Sequence, residues 1–313
     1  MSKILTMDDV PLNKFHKRVA VFTSGGFFCD GYILGLTGIA LALLVPDLNV
    51  NPFWEGMIAS SALIGLFIGG LIFGWVTDRI GRQVAFVIDL AAFIVVSILQ
   101  FFVTDAIQLF ILRLIMGIAI GADYAIAPAL LSEFSPRRVR GMFLAWLNAS
   151  WTIGFVVAVF VSFLMQHYGG ADAWRWILAS SAVPALIVLG LRLGAPESPR
   201  WLVKQGRVEE AKRIIHDYLG PNVAIDDLFV EKDTKTHYRE LFTKKWRKRI
   251  AVGGGFWFCQ VTPYFAILTF GPLVLSQVGI QNEFAGTLAM NLVLLIGAMV
   301  GLWIVDRVPR NNS

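Results

Sequence analysis

Eight long apolar runs dominate this chain. They lie near residues 19–45, 54–77, 84–103, 107–131, 141–165, 174–194, 249–278 and 283–305. Each reaches or exceeds the ~20 residues that a helix needs to cross the hydrocarbon core of a bilayer. None carries more than two charges. A soluble bundle would set polar residues along one face of every helix, and a spanning barrel would show short alternating segments. Hydrophobic residues make up 56% and charged ones only 16%, against about 45–50% and 25% in soluble domains. The pattern predicts an all-α polytopic membrane protein with the lipid bilayer as its surroundings.

The net charge of +5 reads differently once the charges are placed. Of the 27 Lys and Arg, all but Arg113 and Arg175 fall in the N-terminal tail, the stretches near 78–83, 132–140 and 192–249, or the C-terminal tail. The alternate loops, near 46–53, 104–106, 166–173 and 279–283, contain none. This is the positive-inside asymmetry, repeated helix after helix. It places both termini and the long middle loop in the cytoplasm of a multi-pass protein of the cell inner (plasma) membrane. It also removes nucleic acid from the list of partners. The polar first 18 residues and the long run after them do not make a cleavable signal peptide.

Cys29 and Cys259 sit inside apolar spans, and His16, His167, His216 and His237 in loops or tails, so no metal site or disulfide framework is indicated. No HExxH, GxSxG or phosphate-binding loop occurs. The chain reads as no enzyme and implies no cofactor.

The runs divide the chain into a tail (1–18), a six-helix bundle (19–194), a cytoplasmic loop (195–248), two further helices (249–305) and a second tail (306–313). Within the loop, Ser198-Pro199 reads as a helix N-cap followed by proline in the first turn. Leu202, Val208, Ala211, Ile215 and Leu219 then recur at near-helical spacing, which predicts one or two short amphipathic helices. The cluster KKWRKR at 244–249 would hold the next helix at the anionic leaflet. A small charged signature also repeats. Asp78-Arg79-x-x-Arg82 returns as Asp306-Arg307-x-x-Arg310, each copy following the second helix of a group. That placement implies two homologous bundles.

Several ordered motifs resemble the major facilitator superfamily. Gly74-x-x-x-Asp78-Arg79-x-Gly81-Arg82-Gln83 is similar to its helix 2–3 loop signature, and Arg113-x-x-x-Gly117-x-x-x-Gly121 to its helix 4 pattern. Glu133-x-x-Pro136-x-x-x-Arg140-Gly141, Trp174-Arg175-Trp176 and Pro196-Glu197-Ser198-Pro199-Arg200-Trp201-Leu202 resemble sugar-porter sequence. Asp30-Gly31-Tyr32 and Gly121-Ala122-Asp123-Tyr124 resemble the bacterial metabolite:proton symporters. The resemblance implies a complete six-helix N-terminal bundle plus the first two helices of an incomplete C-terminal bundle. In the twelve-helix plan of that superfamily, substrate binds between the bundles, and the chain stops just after the eighth helix. Pro309 departs from the repeat, standing where Gly81 stands in the first copy.

Asp30, Asp89, Arg113 and Asp123 fall inside spans, where a charge costs about 2.5–3.5 kcal/mol on insertion scales and needs a partner, water or a function. If Asp30 and Arg113 face one cavity, the guanidinium holds the carboxylate ionised, and losing it favours protonation. That is a proton-coupling switch, and proton-coupled sugar porters use an aspartate in helix 1 and an arginine in helix 4 at matching positions. The plain alternative is a static salt bridge between the two helices. Asp123 has open roles: cation or substrate contact, proton relay, or a hydrogen-bonded carboxylate near the inner mouth. Asp89, near its helix start, is expected to snorkel to the interface.

Asp78, Arg79, Arg82, Glu133 and Arg140, with Glu197 and Arg200, form an expected layer at cytoplasmic helix ends. The resemblance implies a gating network of charge-assisted bonds; simple topological anchoring is the alternative. Tyr32, Asn148, Trp151 and Gln260 are candidate substrate contacts, each equally readable as interhelical packing or hydrogen bonding. Gln260 stands where sugar porters place a sugar-binding glutamine, but the usual double glutamine is missing. The combined expectation is a secondary active transporter, a proton-coupled symporter of a sugar, sugar acid or organic acid working by alternating access. The alternative is a truncated, transport-incompetent fragment of one.

Overall fold

A computed structural model describes residues 6–304, apart from positions 8, 222, 224–239, 241–242 and 280–282. The second copy of the charged signature, Asp306, Arg307 and Arg310 with Pro309, lies outside the described residues. Among the described residues, eight helical spans are long and apolar enough to cross a membrane. The first five are α1 (Lys14–Asp47), α2 (Pro52–Ile80), α3 (Arg82–Phe101), α4 (Ala106–Phe134) and α5 (Arg140–Tyr168). The sixth is split into α6 (Ala173–Ala179) and α7 (Ala182–Arg192). Two short helices, α8 (Pro199–Lys204) and α9 (Val208–Tyr218), precede α10 (Lys244–Gln277) and α11 (Glu283–Ile304).

Local chemistry sets many of these ends. Asn51 caps α2, its side chain accepting from the Trp54 amide at 2.9 Å, with Pro52 in the first turn. Asp105 caps α4 by accepting from the amides of Ile107 and Gln108. Ser198 caps α8, with Pro199 next to it. Each side-chain oxygen satisfies amides that the helix itself leaves without partners.

Two ends differ from the sequence reading. α1 begins at Lys14, so His16 belongs to a helix and not to the tail. Asn13 and His16 form a reciprocal capping box, with bonds of 3.0 and 3.1 Å, that extends the helix past its apolar run. The sixth span breaks at Ser180-Ser181. Their hydroxyls turn back onto the carbonyls of Ile177 and Leu178, both at 2.7 Å. Pro184 then lacks the N–H that would continue the ladder to Ser180. The same hydroxyls reach sideways, Ser180 to the Tyr32 hydroxyl at 2.9 Å and Ser181 to Ser97 at 2.6 Å. The break thereby ties α6 and α7 to α1 and α3.

Packing follows helical stripes. In α3, Phe86, Asp89, Leu90, Phe93, Val96, Ser97 and Gln100 are buried, and Val84, Ile88, Val95, Ile98 and Leu99 are exposed. Both faces are largely apolar, which suits a helix with protein on one side and hydrocarbon on the other. α2 and α4 approach most closely, with Gly117 and Gly121 against the carbonyls of Ala62 and Leu66. A Cβ at either glycine would overlap the facing backbone, so the four-residue spacing of that motif permits the contact. α10 meets α1 where Gly38 faces Thr269, and α11 packs along α5. Leu268, Thr287 and Asn291 are buried there, whereas Phe256, Trp257, Phe258, Ile296 and Trp303 are exposed.

Candidate functional site

The deepest polar groups converge from four helices. Asp30 of α1 and Asp123 of α4 are each 0% exposed, and Asp89 of α3 is 3% exposed. Asp30 and Asp123 are adjacent, and Asp89 lies within electrostatic reach of both. None of their carboxylate oxygens has a hydrogen-bond partner of ordinary geometry among the described residues. Asp123 fits because Gly26, one turn before Asp30, leaves room. A Cβ on Gly26 would meet the Asp123 carboxylate and the tip of the Phe86 ring. Arg192, at the end of α7, completes the group. It is fully buried and within electrostatic reach of Asp123, Asp89 and Glu197. Its guanidinium lies 3.5 Å from the Phe86 ring centroid and 4.7 Å from that of Phe22.

This arrangement corrects three expectations. Asp89 does not snorkel. It shares the buried stripe of α3 with Phe86 and Phe93, a turn to either side, so its side chain turns inward. Arg113 does not pair with Asp30. Its guanidinium donates to the Thr37 hydroxyl, about two turns further along α1. The register between α1 and α4 sets Asp123, not Arg113, beside Asp30. Arg192, counted with the loop charges because it ends an apolar run, is buried instead. The signal available in the sequence was the 86–89–93 spacing; nothing local marked Arg192.

The candidate substrate contacts separate. Tyr32 is 4% exposed and its hydroxyl is engaged by Ser180, so it braces α1 against α6. Trp151 is buried within an aromatic group, its ring 5.5 Å from Phe155, 6.3 Å from Tyr264 and 6.1 Å from Phe265. Tyr124, stacked on Phe27 at 5.0 Å, stands beside it. Asn148 is exposed one turn before Trp151, and Gln260 is exposed one turn before Tyr264. The sequence reading missed Tyr264 and Phe265 as neighbours of Trp151, since only the approach of α10 brings them together. Arg175 is occupied elsewhere, bonding Asp172 at 3.1 Å and the carbonyls of Phe101 and Val103.

A second charged layer forms where α2, α3, α4 and α8 end. Arg82 bonds Asp78 at 3.0 Å and Glu133 at 3.4 Å. Ser198 donates to Glu133, and Arg200 stands in electrostatic reach of the same carboxylate. Glu197 accepts from the backbone amides of Arg82, Gln83 and Ser198 at 2.9–3.1 Å. α3 has no side-chain cap of its own, so Glu197 caps it from far along the chain. Gly81 makes this possible. Its φ of +102° is a glycine conformation, and a Cβ there would run into the Glu197 carboxylate. The carbonyl of Asp78 receives Trp201 Nε1 at 3.0 Å and Gln205 Nε2 at 3.3 Å, pinning α8 to α2. Asp78, Arg82, Glu133, Glu197 and Arg200 are thus brought together. Arg140 donates to the Ser135 carbonyl at 3.0 Å, bracing the α4–α5 turn. Arg79 stacks on exposed Trp75 at 3.7 Å, outside the cluster.

Comparison with known proteins fits this geometry. The family model described as sugar (and other) transporter matches residues 19–312. The inner membrane metabolite transport protein YgcS of Escherichia coli is 44% identical over 95% of the chain. The putative metabolite transport protein YaaU of the same species is 36% identical over 93%. The chain spans 66% of the length of each of these relatives. Among solved structures, the xylose transporter XylE from E. coli, partially occluded and inward open, gives a TM-score of 0.81 at 22% identity. That match covers 95% of this chain and 72% of XylE. A second XylE structure, described as that of a major facilitator superfamily proton:xylose symporter, gives 0.79. These comparisons match transporters, not enzymes. With its membrane-spanning helices and two charged layers, the chain belongs to the sugar (and other) transporter family and has the major facilitator superfamily fold.

Proposed function

We propose that the protein is a secondary active transporter that couples the movement of a small organic metabolite to protons by alternating access. The observation that carries the reading is the Asp30–Asp123 pair, buried side by side with no hydrogen-bond partner of ordinary geometry among the described residues. Two adjacent buried carboxylates resist carrying two charges, because burial and mutual repulsion both oppose it. Taking up and releasing one proton is the inexpensive way to change their state. The likeness to XylE, a proton:xylose symporter, supports the same chemistry here. The charged layer of Asp78, Arg82, Glu133, Glu197 and Arg200 acts as the gate that parts when that side opens. The basic loops support a cytoplasmic position for this layer. On this reading residues 19–194 form one half of the transporter and 249–305 begin the other. Trp151, Tyr264, Asn148 and Gln260, where the two groups of helices meet, face the substrate.

The test is uptake into proteoliposomes driven by a proton gradient, using a mixed pool of labelled sugars, sugar acids and organic acids. Uptake that collapses with the gradient and in Asp30→Asn is the expected result. Uptake of a pool member that persists without the gradient would overturn proton coupling.

A further inference from the structure

The buried carboxylates need a counter-charge, and Arg113 is turned toward Thr37 instead. We infer that Arg192 is the switchable counter-cation of the Asp30, Asp89 and Asp123 cluster, held on the Phe86 ring while the cluster is protonated and drawn to it when a proton leaves. Its meaning for transport rests on the proton-coupled reading above, but its test reads protonation directly.

The geometry argues for a waiting cation. A guanidinium carries five N–H donors, yet neither Nε nor the two terminal nitrogens of Arg192 has a hydrogen-bond partner among the described residues. It rests on the faces of Phe86 and Phe22, an arrangement that satisfies its charge but none of its directional donors. Phe86 links the two sites: one face carries Arg192, while its tip and the Asp123 carboxylate both border Gly26. The charged and titratable groups around the guanidinium are Asp89 of α3, Asp123 of α4 and Glu197 before α8. Asp30, Cys29 and Tyr124 stand behind Asp123 and interact with it.

An ionised carboxylate in this dry setting attracts a guanidinium far more strongly than an aromatic face does. Loss of the cluster's proton therefore favours movement of Arg192 past Phe86 into a charge-assisted bond. The movement has somewhere to be transmitted. The Arg192 carbonyl accepts from Gln83 Nε2 at 3.3 Å, and the Gln83 amide is held by Glu197. A shift at the end of α7 therefore reaches the residues that cap α3.

The test uses the purified full chain in lipid nanodiscs and follows the infrared carbonyl band of protonated carboxyl groups through a pH titration. Asp123→Asn and Asp30→Asn identify the band that belongs to the cluster. Arg192→Gln should strengthen that band at neutral pH and move its midpoint by about one pH unit, with Arg192→Lys moving it less. Arg113→Gln should leave the midpoint in place. An unmoved midpoint in Arg192→Gln, or a larger shift in Arg113→Gln, overturns the assignment. If Arg192→Gln does not fold, Phe86→Leu decides. Removing the ring should let the cation reach the carboxylates and weaken the band at neutral pH, and an unchanged band refutes the proposal. Failed proton-driven uptake with these spectral shifts intact would sink the transport reading and leave the counter-cation assignment standing.

Discussion

The two charged layers treat the same residue types in opposite ways. At the ends of α2, α3 and α4, carboxylates and guanidiniums bond to one another and to backbone groups. Glu197 alone accepts from three backbone amides, and Arg82 bridges two carboxylates. Deep between α1, α3, α4 and α7, three carboxylates and a guanidinium share a small volume without one hydrogen bond of ordinary geometry among the described residues. The end layer is near water and built from loop and helix-terminal backbone, which supplies spare amides and carbonyls. The interior has only side chains to offer, because every backbone group there is committed to its helix. A structural network satisfies its members. A group left unsatisfied at such cost is kept for a change of state.

Breaking each layer should therefore give different results. The largest effect is expected in the interior and on transport alone. Asp30→Asn or Asp123→Asn should reduce proton-driven accumulation to that of empty vesicles while the protein stays folded, as size-exclusion profiles can check. Next comes Glu197→Ala, which strands the amides at the start of α3 and should cost about 2–3 kcal/mol of stability, read by thermal unfolding in detergent. Asp89→Asn sharpens the contrast. It replaces a buried carboxyl that has no hydrogen bond of ordinary geometry with an uncharged amide, so its unfolding temperature should equal or exceed that of the parent. A fall as large as that of Glu197→Ala would mean that Asp89 is satisfied after all and that the distinction between the layers fails. Ser198→Ala removes the α8 cap and a donor to Glu133 and should cost about 1 kcal/mol. Arg79→Ala, which loses only a stacking contact at an exposed site, should change stability by no more than about 0.5–1 kcal/mol.

Parts of both layers were legible before any coordinates. The apolar runs predicted the eight spans, and Ser198-Pro199 marks a helix start that the structure keeps. Asp78, Arg79, Arg82, Glu133, Arg140, Glu197 and Arg200 group in the sequence because each lies at a helix end on one side, and the structure leaves Arg79 stacked on Trp75 outside the cluster. The interior was harder. Asp30 and Asp123 stood out as charges in apolar runs, but their mutual contact did not, and Arg113 was the more obvious partner.

What the sequence determined by itself are features set within a single helix: the apolar run that it carries and which residues share its faces. The periodicity of one backbone fixes these. The tertiary structure alone decided that Asp123 stands beside Asp30, that Arg113 turns to Thr37, that Arg192 is buried on Phe86, and that Tyr264 and Phe265 come to Trp151. Each of these depends on the rotation and sliding of one helix against another. A shift of one residue turns a side chain by about 100°, and close small-residue contacts such as Gly117 on Ala62 set that register. Those contacts act between segments far apart in the chain, so no local pattern of residues records them.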